Sequence, residues 1–286
     1  MDIWPELHLT CAKFRLEVEH PRKFGWFPEA VLRGALGYFW HAEGKRFERL
    51  YELFFGAADK AKLQGVATPP MGAVLNCTPC GGKFFELEVI LFGKLEDQVP
   101  LLLESLHILG HEGVGESYER FFVEGFPCYG VGELREWVLN EPIDGTVLPE
   151  SFLPHDGVCL ELEKPMMLRA YGGKFLLQWD TDSFFSNLVQ RLRQLAQFYG
   201  TPLPADWGES LLCDARQVSA SPSTSVVRRG RTSSRQQARL DYSGFKGSVV
   251  LQNVSADLFT LLRMGAWVGV GKNTVMGSGR YFLFLG

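Results

Sequence analysis

The stretch Gly265-Ala266-Trp267-Val268-Gly269-Val270-Gly271-Lys272-Asn273-Thr274-Val275-Met276-Gly277-Ser278-Gly279-Arg280 decides how this chain is read. Five glycines in the fifteen residues 265–279 call for backbone at positive φ, or for a loop lying close against other atoms. A helical apolar pattern (Leu258, Leu261, Leu262, Met264) leads into it, and a strand-like run, Tyr281 to Leu285, leads out. Lys272 and Arg280 stand beside amides that carry no side-chain bulk, which suits an anionic ligand. The loop is not a nucleotide P-loop. That motif needs glycine where Ala266 stands and Ser or Thr where Asn273 stands. It also needs strand–loop–helix order, the reverse of the order here.

Working outward, the C-terminal half reads as a strand from Cys159 to Leu168, with Pro165 inside it, and an amphipathic helix from Ser183 to Tyr199, Asp182 as N-cap. Strands follow at Ser210–Val218 and Gly247–Val254, then a helix at Ala256–Met264 and the last strand. The N-terminal half reads in the same order. It has a strand from His8 to His20, a helix from Glu29 to Ala42 behind Pro28, and a second helical piece from Arg46 to Phe55. Strands at Gly72–Cys77 and Phe84–Phe92, a helix at Leu101–Leu109 and a strand at Arg120–Val123 complete it.

The echo extends to residues. Leu106, Leu109, Gly110, Gly113-Val114-Gly115, Arg120 and Phe121-Phe122 match Leu261, Met264, Gly265, Gly269-Val270-Gly271, Arg280 and Tyr281-Phe282. The expected architecture is α+β, two tandem ferredoxin-like (RRM-like) βαββαβ domains with a C-terminal glycine-rich loop. The domains are expected at residues 1–135 and 158–286, with a Pro/Gly-rich linker at 136–157.

With 46% apolar residues, the chain can build a sizeable core. No apolar run approaches the roughly 18 residues of a membrane span, and the start lacks a signal peptide's basic and apolar regions. Six scattered cysteines read as reduced thiols, so a cytoplasmic protein is expected. Cys77-Thr78-Pro79-Cys80 is half a zinc motif without a second half, and reads as a turn between strands, so no metal and no cofactor are expected. The formal charge is −4, but Ala215 to Leu240 holds six arginines (216, 228, 229, 231, 235, 239) and no acid, leaving −10 for the rest. Guanidinium forks match phosphate oxygens, so this Arg/Ser/Thr stretch reads as a solvated, anion-binding loop.

Tandem ferredoxin-like halves ending in Gly-Val-Gly-Lys-Asn-Thr-Val-Met-Gly-Ser-Gly-Arg-Tyr (269–281) resemble the repeat-associated RNA-binding superfamily of CRISPR systems. Within it, the chain resembles the endoribonuclease family that cuts precursor crRNA. Leu32-Arg33-Gly34-Ala35-Leu36-Gly37, Leu91-Phe92-Gly93 and Arg231-Thr232-Ser233-Ser234-Arg235-Gln236 resemble further parts of that family. The resemblance implies metal-independent cleavage within the CRISPR repeat. A 2′-hydroxyl attacks the adjacent phosphate, leaving 2′,3′-cyclic phosphate and 5′-OH ends. Such chemistry needs a base, an acid and a cation at the phosphorane.

At about 100° per residue, Tyr38, His41 and Lys45 share one helical face if the first helix continues through Gly44. His41 would act as general base or acid, Tyr38 would orient or donate, and Lys45 or Arg46 would hold the phosphate. His155 is the fallback histidine, while Gly34 and Gly37 read as close-packing positions and Trp267 as core. RNA contacts are expected from Arg228, Arg229, Arg231, Arg235 and Arg239, and from Gly269, Gly271, Lys272, Gly277, Gly279 and Arg280. The implied partners are CRISPR repeat RNA, its crRNA product and other Cas proteins. The competing reading is a non-catalytic crRNA-binding subunit of an interference complex.

Overall fold

The computed structural model describes residues 4–24, 27–56, 70–143, 145–148, 152–154, 157–228, 230–233 and 238–286. By contacts the chain divides into two units. One holds Leu7–Glu133 with Phe198–Gly200, and the other Met1–Glu6, Leu134–Gln197 and Thr201–Gly286.

In the first unit, β1 (His8–Val18), α1 (Pro28–Glu43) and α2 (Glu48–Phe55) are followed by β2 (Ala73–Gly81), β3 (Phe84–Phe92), α3 (Val99–Glu112) and β4 (Phe121–Glu133). The sheet order is β2-β3-β1-β4, all antiparallel. Period-2 alternation puts Phe14, Leu16 and Val18 of β1 into the core with Leu32, Leu36 and Trp40 of α1 and Leu102 and Leu106 of α3. Each of the large side chains contributes about 1.5–3 kcal/mol by leaving water. The one polar atom Trp40 brings inside, its indole N–H, donates to Ser105 Oγ at 2.8 Å. On β3 the buried set is wider than alternation predicts, because Glu88, Ile90 and Phe92 are buried as well as Phe85, Leu87, Val89 and Leu91.

The second unit opens with α4 (Leu134–Asn140), so the stretch read as a linker begins as a helix. Then come β5 (Val158–Met166), α5 (Thr181–Tyr199), α6 (Glu209–Ala215), β6 (Ser219–Val227), a ribbon of β7 (Gly230–Ser233) and β8 (Ala238–Asp241), β9 (Gly244–Gln252), α7 (Ala256–Val268) and β10 (Tyr281–Leu285). Its sheet order, β10-β5-β9-β6, repeats the first unit's order strand for strand, again antiparallel. This is the tandem ferredoxin-like α+β fold that the duplicated pattern predicts.

The repeated residues play the same parts. A Cβ on Gly110 would overlap the Phe121 carbonyl oxygen and press its ring at 3.1 Å. One on Gly265 would overlap the Tyr281 hydroxyl and press Leu188 at 2.9 Å. Both helices therefore carry glycine where the first aromatic of the next strand packs against them. Val114 and Val270 are buried alike, and their N–H groups donate to Glu119 O at 2.9 Å and Gly279 O at 3.1 Å.

Several sequence expectations are corrected. Ser210–Val218 is not a strand; α6 occupies it, and β6 falls on the Ser219–Ser225 stretch expected as a loop. A run as short as Leu211-Leu212 does not distinguish helix from strand, and β6 is a serine-rich edge strand where Pro222 removes no needed N–H. Cys77 and Cys80 lie within β2, and the turn falls at Gly82-Lys83. The strand expected at Arg120–Val123 runs on to Glu133 through Pro127. It does so because β4 is an edge strand, with a register shift opposite Lys13 and Arg15 that absorbs the proline. Asp180, not Asp182, caps α5, its carboxylate accepting the Ser183 N–H at 2.8 Å.

Candidate active site and nucleic-acid interface

Helix α1 starts on Pro28, whose missing N–H costs nothing there, and buries its Leu32/Leu36/Trp40 stripe. The opposite side carries Tyr38, 81% exposed, and His41, also exposed. Gly44 ends the helix at φ 72°, with its N–H on Trp40 O, and the chain enters a 3₁₀ turn over Gly44–Phe47. The helix therefore does not continue through Gly44. Lys45 is exposed on that turn rather than aligned one helical turn beyond His41. Its neighbour Arg46, the alternative phosphate cation, forks onto the Glu104 carboxylate at 2.7 and 2.6 Å.

What the sequence reading missed is the partner of His41. Its ring lies 5.8 Å from that of Tyr51, and Tyr51 stacks on Phe55 at 4.8 Å. The Arg33 guanidinium covers the other end, 4.2 Å from the Phe55 ring, and donates to Phe54 O at 3.0 Å. Arg33, Gly37 and His41 recur every four residues along α1, so they form the stripe beside which the Tyr51/Phe55 row lies. The signal was present: Tyr51 and Phe55 are an i, i+4 aromatic pair on the helix that doubles back after Gly44. A Cβ on Gly37 would meet the Phe55 ring, so this glycine does permit close packing, whereas Gly34 has nothing within 4 Å of such an atom.

Two other histidines lie against carboxylates. His8 lies 3.8 Å from the Glu133 carboxylate. The His20 backbone N–H donates to the buried Glu119 carboxylate, with its Nδ1 at 3.3 Å. His155 lies outside the described residues, as do Arg229 and Arg235.

In the second unit the glycine loop folds on itself. Lys272 N–H donates to Met167 O at 3.0 Å, and a 3₁₀ turn over Thr274–Met276 buries all three of its side chains. A Cβ on Gly271 would overlap Met167 O, and one on Gly279 would overlap Val270 O, so both positions require glycine. Gly269, Gly277 and Gly279 are buried and shape the loop from within. What the loop presents outward is exposed Lys272, with Gly271, Asn273 and Arg280 half-exposed. The Asn273 amide donates to Asp241 O at 3.3 Å, which ties the loop to the arginine-bearing ribbon. On that ribbon Arg231 stands opposite Leu240 and Arg239 opposite Thr232, and Arg228 is exposed at the end of β6. Trp267 is only half-buried: its ring lies 5.1 Å from that of Trp137, and its indole N–H donates to Glu141 at 2.6 Å.

Among the described residues no group of three or more His, Cys, Asp or Glu could hold a metal ion. None of the helices described is long and apolar enough to cross a membrane.

Residues 160–281 match the family model of the CRISPR-associated endoribonuclease Cas6, a span that includes the arginine-rich stretch and the whole glycine loop. No curated protein sequence matches the chain. Among solved structures it is similar to a Thermus thermophilus Cas6, with a TM-score of 0.57 at 14% identity, covering 97% of this chain and 99% of that one. A Cas6 product complex gives 0.58 at 15%, covering 96% and 99%. A partial Cas6-RT-Cas1–Cas2 complex gives 0.55 at 11%, covering 98% of this chain and 46% of that one. At these identities the structural likeness is one of fold. Its C-terminal unit thus matches the sequence model of the CRISPR-associated endoribonuclease Cas6, and along nearly all its length the chain has the fold of the Cas6 structures.

Proposed function

We propose that this protein cleaves CRISPR precursor RNA within the repeat, without a metal ion, giving crRNA with 2′,3′-cyclic phosphate and 5′-OH ends. The observation that carries this reading is the family match running through the glycine loop and arginine stretch. His41 is the general base or acid, Tyr38 orients or donates, and Lys45 stabilises the phosphorane charge. The reacting side chains belong to the N-terminal half (1–135). The C-terminal half (158–286) grips phosphates through Arg228, Arg229, Arg231, Arg235, Arg239, Lys272 and Arg280. Gly269, Gly271, Gly277 and Gly279 support that grip by holding the loop's shape. The ligand is CRISPR repeat RNA, other Cas proteins are partners, and the setting is the cytoplasm.

The test is incubation with the repeat RNA of its own CRISPR array in excess EDTA. Wild type cuts, and His41→Ala cuts about 10²–10⁴-fold more slowly with RNA affinity intact, the range for one acid–base group. Equal cleavage by the variant moves the role to His155. Tight binding without cleavage by wild type replaces the enzyme with a crRNA-binding subunit.

A further inference from the structure

Between Met167 and Trp179, just past the strand that begins the second sheet, the chain forms a small hairpin. Leu168 pairs with Leu176 and Arg169 with Phe175. The turn closes through Ala170 N–H to Lys174 O at 2.8 Å and Gly173 N–H to Ala170 O at 3.0 Å. Gly172 and Gly173 stand at φ 82° and 86°, which lets the two-strand ribbon turn tightly.

The hairpin is firmly mounted. The Asn187 side chain of α5 grips both backbone groups of Arg169, accepting its N–H at 3.1 Å and donating to its carbonyl at 2.8 Å. On the other side, the glycine loop is fastened to Met167 O by the Lys272 N–H at 3.0 Å. The Lys272 ammonium lies 4.7 Å from the Phe175 ring centroid, a cation–π contact between loop and hairpin.

What the mounted hairpin holds out pairs exposed aromatics with cations. Tyr171 at its tip is fully exposed (105%), and Phe175 is 44% exposed. Arg169, Lys174 and Lys272 are exposed around them. From Lys164 to Trp179 there is no Asp or Glu. A fully exposed aromatic ring on a hairpin that also carries exposed cations fits one ligand chemistry well. A nucleobase supplies a π-face for the tyrosine, and its flanking phosphates supply charge for the cations. A protein partner would more commonly be met by a broader apolar surface than these two exposed rings among cations offer.

We propose that the Leu168–Leu176 hairpin binds an unpaired nucleotide of the RNA, its base stacked on Tyr171 and the neighbouring phosphates held by Arg169, Lys174 and Lys272. This rests on the RNA-processing reading above and adds to it a site for single-stranded sequence beside the glycine loop. Sequence reading passed over it because Arg169, Tyr171 and Lys174 are too dispersed to stand out beside the arginine-rich stretch.

The experiment is fluorescence anisotropy in excess EDTA, in a His41→Ala background so that RNA stays whole. Two labelled probes are used: the repeat RNA of its own CRISPR array with its unpaired flanks, and the same RNA trimmed to its paired stem. Tyr171→Ala should weaken the flanked probe about 5–150-fold, the range for one base–aromatic stack, and leave the stem probe as in the parent. Tyr171→Phe should keep parental affinity. Arg169→Ala and Lys174→Ala should each flatten the slope of log K against log salt by about 0.7. If Tyr171→Ala binds both probes as the parent does, the hairpin holds no base and the proposal fails while the RNA reading stands. Equal loss on both probes also overturns it, since the hairpin would then grip the stem. If the parent binds neither probe, the proposal falls together with the function on which it rests.

Discussion

Two glycines three residues apart on α1 make a matched experiment on how the His41 site is built. A Cβ at Gly37 would lie 2.6 Å from Phe55 Cε2 and closer still to Cζ, whereas ordinary contact begins near 3.4 Å. The ring must therefore retreat by about 1 Å. It is confined by Tyr51 stacked at 4.8 Å and by the Arg33 guanidinium at 4.2 Å, so it cannot simply swing aside. At Gly34 the same atom meets nothing within 4 Å. Both substitutions to alanine gain about 0.5–1 kcal/mol of helix propensity. Only Gly37→Ala also meets an overpacking cost, about 1–3 kcal/mol. Gly34→Ala should therefore melt higher, and Gly37→Ala level with or below wild type. The gap between the variants should be about 1–3 kcal/mol, or several degrees at about 2–4 °C per kcal/mol. Cleavage of repeat RNA should separate them too, because a displaced Phe55 pushes Tyr51 off the His41 ring. Gly34→Ala should retain the wild-type rate and Gly37→Ala should lose part of it, with RNA affinity unchanged in both. If Gly37→Ala melts as high as Gly34→Ala and cuts equally fast, Phe55 does not fill that space and the stacking account of His41 is wrong.

Other consequences are as direct. Arg263 is buried and donates to the Leu148, Val138 and Glu141 carbonyls, so Arg263→Met should cost about 2–4 kcal/mol in urea unfolding, with Arg263→Lys recovering only part because an ammonium does not fork across several acceptors. Tyr281 is fully buried, its hydroxyl donates to Leu262 O at 2.7 Å, and burial holds it well above the usual value of 10. The unfolded chain releases this proton first as pH rises past about 10, so the tyrosine's stabilisation is present below that pH and lost above it. Tyr281→Phe should thus cost about 1 kcal/mol at neutral pH and shrink the loss of stability above pH 10, measured by denaturant titration at each pH.

The fold was legible because it is written twice. Agreement between Leu106-to-Phe122 and Leu261-to-Phe282 fixed element order where any single strand was ambiguous. Local reading failed where context outweighs propensity: Ser219–Val227 is a strand because it completes a sheet edge beside β9, not because serines prefer that conformation. At the site, the exposure of His41 and Tyr38 followed from helical period, while the close packing expected at both Gly34 and Gly37 holds at Gly37 alone. The break at Gly44 and the stack on Tyr51 did not. Both depend on how α2 folds back along α1, a tertiary fact with no period of its own. The glycine loop was read for its positive φ and close approach. That Gly271 is pressed against Met167 O, about a hundred residues away in sequence, was not legible from the loop itself.

The two copies of the glycine turn differ in length but not in plan. Between Gly115 and Arg120 the first copy spends four residues, and between Gly271 and Arg280 the second spends eight, yet both put a buried valine, two glycines and an aromatic strand start in the same relation. The shorter copy shows that four residues suffice to join such a helix to such a strand, so the four additional residues of the second copy are not needed to close the joint. That surplus is length the second unit can present to a ligand without disturbing its own framework.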